Sequence, residues 1–122
     1  MAHLGTRPGR ADIYIRRNQN FKATTTLKVD GAVVNLTGYT ATADIRRAAD
    51  DVLAFTMTST GGSPTITLGG VAGTVVFNVP VATVDDLSVG VAYIWDLKLT
   101  PSGGGPEVWL AGKVTVEEGV TV

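Results

Sequence analysis

The 122-residue chain contains no cysteine. A disulfide framework, a thiolate nucleophile and a zinc site of the usual Cys type go with it, although a small secreted domain would more often carry such staples. The one histidine is His3, in a segment without periodicity, and no Gly-x-Ser-x-Gly elbow occurs. A nucleophilic triad therefore has no base in a folded element, and the expectation is a protein that is not an enzyme. Ten basic against eleven acidic residues leave a net charge of −1, which provides no field to draw in nucleic acid or an anionic membrane. No run approaches the roughly 20 apolar residues that span a bilayer. Residues Met1–Arg10 lack the apolar core of a signal peptide, so synthesis and folding in a cytoplasm are expected, with neither nucleic acid nor membrane as partner.

Charged residues make up 17% of the chain, fewer than is usual for a globular domain, and they are unevenly placed. Residues 1–51 carry eight basic and five acidic groups, residues 52–122 two basic and six acidic. From Val52 to Val84 no residue is charged. Exposed strands normally point Lys or Glu outward to block edge-to-edge pairing; here the outward positions hold Thr, Ser, Gly and Asn. Two readings stand open, a Thr-rich face in water and a face or edge covered by another subunit.

What is present is β-pattern. Asp12–Arg16 sets Ile13 and Ile15 on one face, and Phe21, Ala23, Thr25, Leu27 and Val29 share one side of the next stretch. Asp30-Gly31 is a strong signal for a two-residue hairpin, because both central residues of a type I′ turn need positive φ. Alternation resumes with Tyr39, Ala41, Ala43 and Ile45 inward, and then with Leu53, Phe55 and Met57 on one face. Thr65–Leu68 and Gly73–Val79 flank Gly69-Gly70 as a hairpin. Val81–Val89 holds one helical turn, with Thr83 as its candidate N-cap. The closing hairpin, Val91–Thr100 and Glu107–Val116 around Pro101–Pro106, puts Tyr93, Trp95, Leu97 and Leu99 on one face. Across it Val108, Leu110, Val114 and Val116 point inward, and Trp109 lies on the polar side.

About seven to eight short strands with almost no helix predict an all-β chain, an antiparallel immunoglobulin-like β-sandwich over residues 12–122 preceded by an extended N-terminal arm over 1–11. A small closed barrel is the alternative. At this length one domain is expected.

No chemistry-bearing constellation emerges. Asp50-Asp51 and Asp85-Asp86 fall in turns, where Asp bonds backbone amides; a weak calcium site is the alternative reading, and no metal or cofactor is expected. Asp96 and Lys98 share a face and read as a surface ion pair. The glycine pairs and Gly103–Gly105 lack the following helix or lysine of a phosphate loop. A protein-contact role is expected for Arg7, Arg10, Arg16, Arg17 and Trp109, beside the uncharged Val52–Val84 region. Tyr93, Trp95 and Trp109 are the rings on which a sugar would stack.

At Leu36-Thr-Gly-Tyr-Thr40 with Ala43-Asp-Ile-Arg46, and at Tyr93-Ile-Trp-Asp-Leu-Lys-Leu-Thr100 with Gly112-Lys-Val-Thr-Val116, the chain resembles small bacteriophage proteins. These are the immunoglobulin-like N-terminal domain of baseplate upper proteins and short virion proteins encoded among tail genes. The resemblance covers roughly residues 12–118 and implies a non-enzymatic virion protein, present in multiple copies and docked on tail, baseplate or fibre components. Two alternatives are a capsid decoration protein of the phage head and a carbohydrate-binding β-sandwich module.

Overall fold

The computed structural model describes residues 9–62 and 64–118. Among them the chain forms eleven strands, one 3₁₀ turn and one short helix. The large sheet contains β1 (Gly9–Arg10), β2 (Ile13–Arg16), β6 (Thr40–Arg47), β7 (Leu53–Thr58), β10 (Tyr93–Thr100) and β11 (Glu107–Glu117). It runs β1-β11-β10-β6-β7, and β2 also lies on β11. The small sheet is β3 (Phe21–Thr26), β9 (Thr74–Val79) and β8 (Ile66–Leu68), in that order. A minimal hairpin, β4 (Lys28–Val29) with β5 (Ala32–Val33), links the two sheets. All pairings are antiparallel except those of β1 and β2, which run parallel to β11. Two sheets, with the last two strands of the chain central to the larger and a leading strand split in two along its edge, make an immunoglobulin-like sandwich.

The inward alternation of β2, β6 and β10 fills the space between the sheets: Ile13, Ile15, Ala41, Ala43, Ile45, Tyr93, Trp95, Leu97 and Leu99 are all buried. Trp95 meets Phe77 of the small sheet edge-on, with ring centroids 5.9 Å apart. In this cysteine-free sandwich that aromatic contact ties the two layers together. The indole N–H of Trp95 donates to the carbonyl of Ala11 at 2.7 Å, so the same side chain also holds the leading strand. At the start of β10, the Tyr93 hydroxyl accepts the Ser88 N–H at 2.9 Å, the corner contact by which such sandwiches pin the entry to this strand.

The Asp30-Gly31 turn forms as expected, with φ of 52° and 82°. The helical turn forms too, as α1 (Val81–Val84), but Thr83 does not cap it. Pro80 is the N-cap, with no capping bond from its own side chain; the Asn20 side chain, far away in sequence, accepts the Val81 N–H at 2.9 Å. A cap supplied across the fold leaves no local mark.

Two bulges overturn three face assignments, those of Leu53, Trp109 and Val108; Val108, expected inward, pairs with Lys98 on the outer face and lies outside the core. β6 and β7 are in register at Ile45↔Phe55, yet the next pair is Arg46↔Leu53. Ala54 is therefore the extra residue, and Leu53 turns from the expected inward face to solvent. Between β10 and β11, Leu97↔Leu110 is followed by Lys98↔Val108. Trp109 is the extra residue there, and it is 3% exposed rather than on the polar side.

Of the expected arm, residues 1–8 lie outside the described residues, while Gly9 and Arg10 pair with Leu110 and Ala111. Ala11 continues that pairing, donating its N–H to the Ala111 carbonyl at 3.0 Å.

Candidate interaction surface

The expected contact residues are dispersed, and those described are engaged within the chain. Arg7 lies outside the described residues. Arg10 pairs with Asp12 at 3.3 Å and Arg16 with Glu117 at 3.7 Å. Arg17 lies between Asp85 at 4.0 Å and Glu118 at 3.5 Å, and it donates to the Asp85 carbonyl at 3.3 Å. Trp109 is in the core. These ion pairs hold the leading strand and the end of β11 together, while the Arg10 and Arg16 side chains stay 65% and 45% exposed.

Asp12 organises that edge. Its carboxylate accepts the Lys113 N–H at 3.0 Å, and this bond, with the Arg10 guanidinium beside it, holds its pKa below the ordinary 3.8. Beside it the chain crosses from β1 to β2 directly over Gly112, where a Cβ would collide with the Ala11 carbonyl oxygen. Glycine is required at 112 because two backbones meet there.

The opposite edge is built differently. β7 borders β6 and pairs with no further strand among the described residues. The Ser59 N–H donates to the Ala41 carbonyl at 3.0 Å, and the register pairs Ala43↔Met57 and Ile45↔Phe55 keep that parity. The peptide groups of Phe55 and Met57 therefore face β6, and those of Thr56 face away from it. Two residues further on, at Thr58, the outward groups are occupied. The Thr58 N–H donates to the Thr65 hydroxyl at 2.9 Å, and the Thr65 N–H donates to the Thr58 carbonyl at 2.9 Å.

Apolar side chains gather near this edge. Val52 is 51% exposed, Leu53 46% and Ile94 40%. Leu53 and Ile94 stand on either side of Arg46 in one row across the outer face. The adjacent row places Asp96 directly beside Asp44. Asp44 is neutralised by Arg46 at 3.3 Å and accepts the Thr56 hydroxyl at 2.9 Å. The described ion pairs include neither Asp96 nor Lys98, so the expected pair between them does not form. A groove of ≈ 470 Å³ lies over these rows, with Asp44, Arg46, Ile94 and Asp96 in its walls. Periodicity missed Leu53 because the Ala54 bulge reverses its side; the absence of charge over Val52–Val84 was the signal that pointed to this edge.

The two remaining aspartate pairs serve turns. Asp50 accepts the Val52 N–H at 3.3 Å and pairs with Arg47 at 3.3 Å, and Asp85 accepts the Asn18 N–H at 2.9 Å. Among the described residues no group of three His, Cys, Asp or Glu side chains is placed to hold a metal ion. No helix among them is long and apolar enough to cross a membrane.

No family model matches the chain and no curated protein sequence matches it. Among solved structures it is similar to murine CRIg at 15% identity, covering 86% of this chain and 91% of that one, with a TM-score of 0.42. It is also similar to the extracellular domains of the voltage-gated sodium channel beta4 subunit, at 9% identity, 93% and 95% coverage and a TM-score of 0.44. The third is Drosophila OTK extracellular domains 3–5, at 16% identity, 88% and 32% coverage and a TM-score of 0.32.

These neighbours share a fold type and are animal extracellular domains, which overturns the resemblance to phage tail and baseplate proteins. The motifs that carried it serve the sandwich itself. Leu36, Tyr93 and Trp95 fill the core, Gly38 takes φ of 82° in the turn before β6, and Gly112 makes room for Ala11. Residues so occupied mark an architecture, and no family or virion can be read from them.

Proposed function

We propose that this chain is a non-enzymatic protein-contact domain that joins protein to protein through the β7 edge and the apolar side chains around it. The observation that carries the reading is the unguarded strand: Leu53–Thr58 has no charge and no proline, and the Thr56 peptide group points outward beside exposed Val52 and Leu53. Sheet edges in free-standing domains are ordinarily blunted by charge, proline or cover, because their backbone groups are a template for another strand. The Ala54 bulge on one side and Thr65, which holds the outward groups of Thr58, on the other restrict that template to the Thr56 peptide group without closing it. The sugar-binding alternative loses its three rings, since Tyr93, Trp95 and Trp109 are all buried.

A photoreactive amino acid at position 54 tests this, with the same group at Thr115, on the outer face of β11, as control. Irradiation in concentrated protein and in cell extract is expected to attach position 54 to a protein, whether another copy or a different chain, in far higher yield than position 115. Equal or absent adducts at the two positions would overturn the proposal.

A further inference from the structure

The Asp30-Gly31 turn carries chemistry of its own, independent of the contact role. We propose that Asp30 is a site of spontaneous covalent modification, converted through a succinimide to isoaspartate, and that this change opens the hairpin joining the two sheets. In the first step the Gly31 backbone nitrogen forms a bond to Cγ of Asp30 and loses its proton, and the carboxyl hydroxyl leaves as water. In the second, water adds to the main-chain carbonyl carbon of Asp30 and the bond from that carbon to the Gly31 nitrogen breaks. The chain then runs through Cγ, one methylene longer, with its composition unchanged.

Four observations place the reaction here. First, of the eight aspartates Asp30 alone precedes glycine; the others precede Ile, Val, Leu or Asp, whose side chains crowd the attacking nitrogen. No asparagine precedes glycine either. Second, the site is open: Asp30 and Gly31 are exposed, and a Cβ on Gly31 would meet no atom within 4 Å. Third, nothing holds the carboxylate. Among the described residues it makes no hydrogen bond and no ion pair, whereas those of Asp12, Asp44, Asp50 and Asp85 are all engaged. Fourth, the turn is lightly tethered. A type I′ turn sets ψ of its first central residue at about 30°, which keeps the Gly31 nitrogen from Cγ, so the turn must open before the ring can close. Only the pairs Lys28↔Val33 and Val29↔Ala32 oppose that opening, and so short a hairpin is marginal in water. Once formed, the extra methylene prevents reclosure, because the two-residue turn needs its central residues consecutive and at positive φ.

The test is to hold the folded protein at neutral pH and body temperature and to sample it over weeks. Peptide mapping by electron-transfer fragmentation, which tells isoaspartate from aspartate, should find isoaspartate at position 30 in about tenfold or greater excess over every other aspartate. Asp30→Asn keeps the turn and replaces water by ammonia, a better leaving group. It should reach the same product about tenfold sooner or more, with the mass gain of deamidation. In the wild type a second set of amide signals should grow in with the isoaspartate, one in which Ala32 has lost its exchange protection and Trp95 has kept it. Isoaspartate absent from position 30, no more abundant there than at Asp86 or Asp96, or formed without loss of protection at Ala32 would each overturn the inference. So would an Asp30→Asn protein that keeps its side-chain amide over the same period.

Discussion

At one edge of the large sheet β1 and β2 bring Arg10, Asp12 and Arg16, each held in an ion pair, against β11. At the other, β7 runs from Leu53 to Thr58 without a charge and borders β6 alone. The first edge is bound to the rest of the fold by contacts with no slack: the Trp95 indole on the Ala11 carbonyl, the Asp12 carboxylate on the Lys113 N–H, and backbone packed on Gly112. The second edge makes the bonds to β6 and then leaves the Thr56 peptide group facing outward. Charge placement thus separates an edge that completes the domain from one that the domain leaves available. Substitutions at the first should cost folding and those at the second should cost assembly.

The largest effect on folding is expected from Gly112→Val, which drives a side chain into the Ala11 carbonyl and unseats the leading strand. A loss of about 3 kcal/mol or more should appear in urea denaturation. Trp95→Phe keeps a ring against Phe77 and removes the indole N–H, stranding the Ala11 carbonyl at a cost of about 1–3 kcal/mol. Asn20→Ala withdraws the cap of the Val81–Val84 turn, for about 0.5–2 kcal/mol.

Asp12 adds a pH dependence. Its folded pKa lies below 3.8, so its contribution is complete above that value and is lost as pH falls from 3.8 through the folded pKa. Stability of the wild type relative to Asp12→Asn should therefore be greater at pH 7 than at pH 2.5, and a constant difference would contradict that role. The smallest effect on folding belongs to Thr56→Lys, expected within about 0.5 kcal/mol of wild type, although this variant should abolish association. If Thr56→Lys unfolded the domain as Gly112→Val does, the contrast between the edges would fail.

Much of this architecture is legible in residue patterns. The alternations through Ile13–Ile15, Ala41–Ile45 and Tyr93–Leu99 identify core faces because each lies in a strand without a bulge, and Asp30-Gly31 identifies its turn by backbone chemistry. Leu53 and Trp109 were misplaced for one reason. A bulge adds a residue and reverses the alternation, and the pairing that creates it lies in another part of the chain. The Asn20 cap and the collision space at Gly112 are likewise tertiary facts. For the interaction surface, the uncharged stretch is legible in the sequence, whereas the ion pairs of Arg16 with Glu117 and of Arg17 with Asp85 and Glu118 join residues that meet only in the folded chain.

The contrast between the edges is tested most directly by site-resolved amide exchange of the wild type at about 10 µM and 1 mM. Thr56 and Tyr14 are matched probes. The Arg17 N–H donates to the Glu117 carbonyl at 2.9 Å, and the alternation that follows from it turns the Tyr14 peptide group away from β11, just as that of Thr56 turns away from β6. Protection of the Thr56 amide should rise by about tenfold or more between the two concentrations, or at about 10 µM on addition of cell extract, while Tyr14 stays unprotected. A Thr56 amide unchanged under both conditions, or a rise at Tyr14 in its place, would contradict the assignment of β7 as the edge through which this domain makes its contacts.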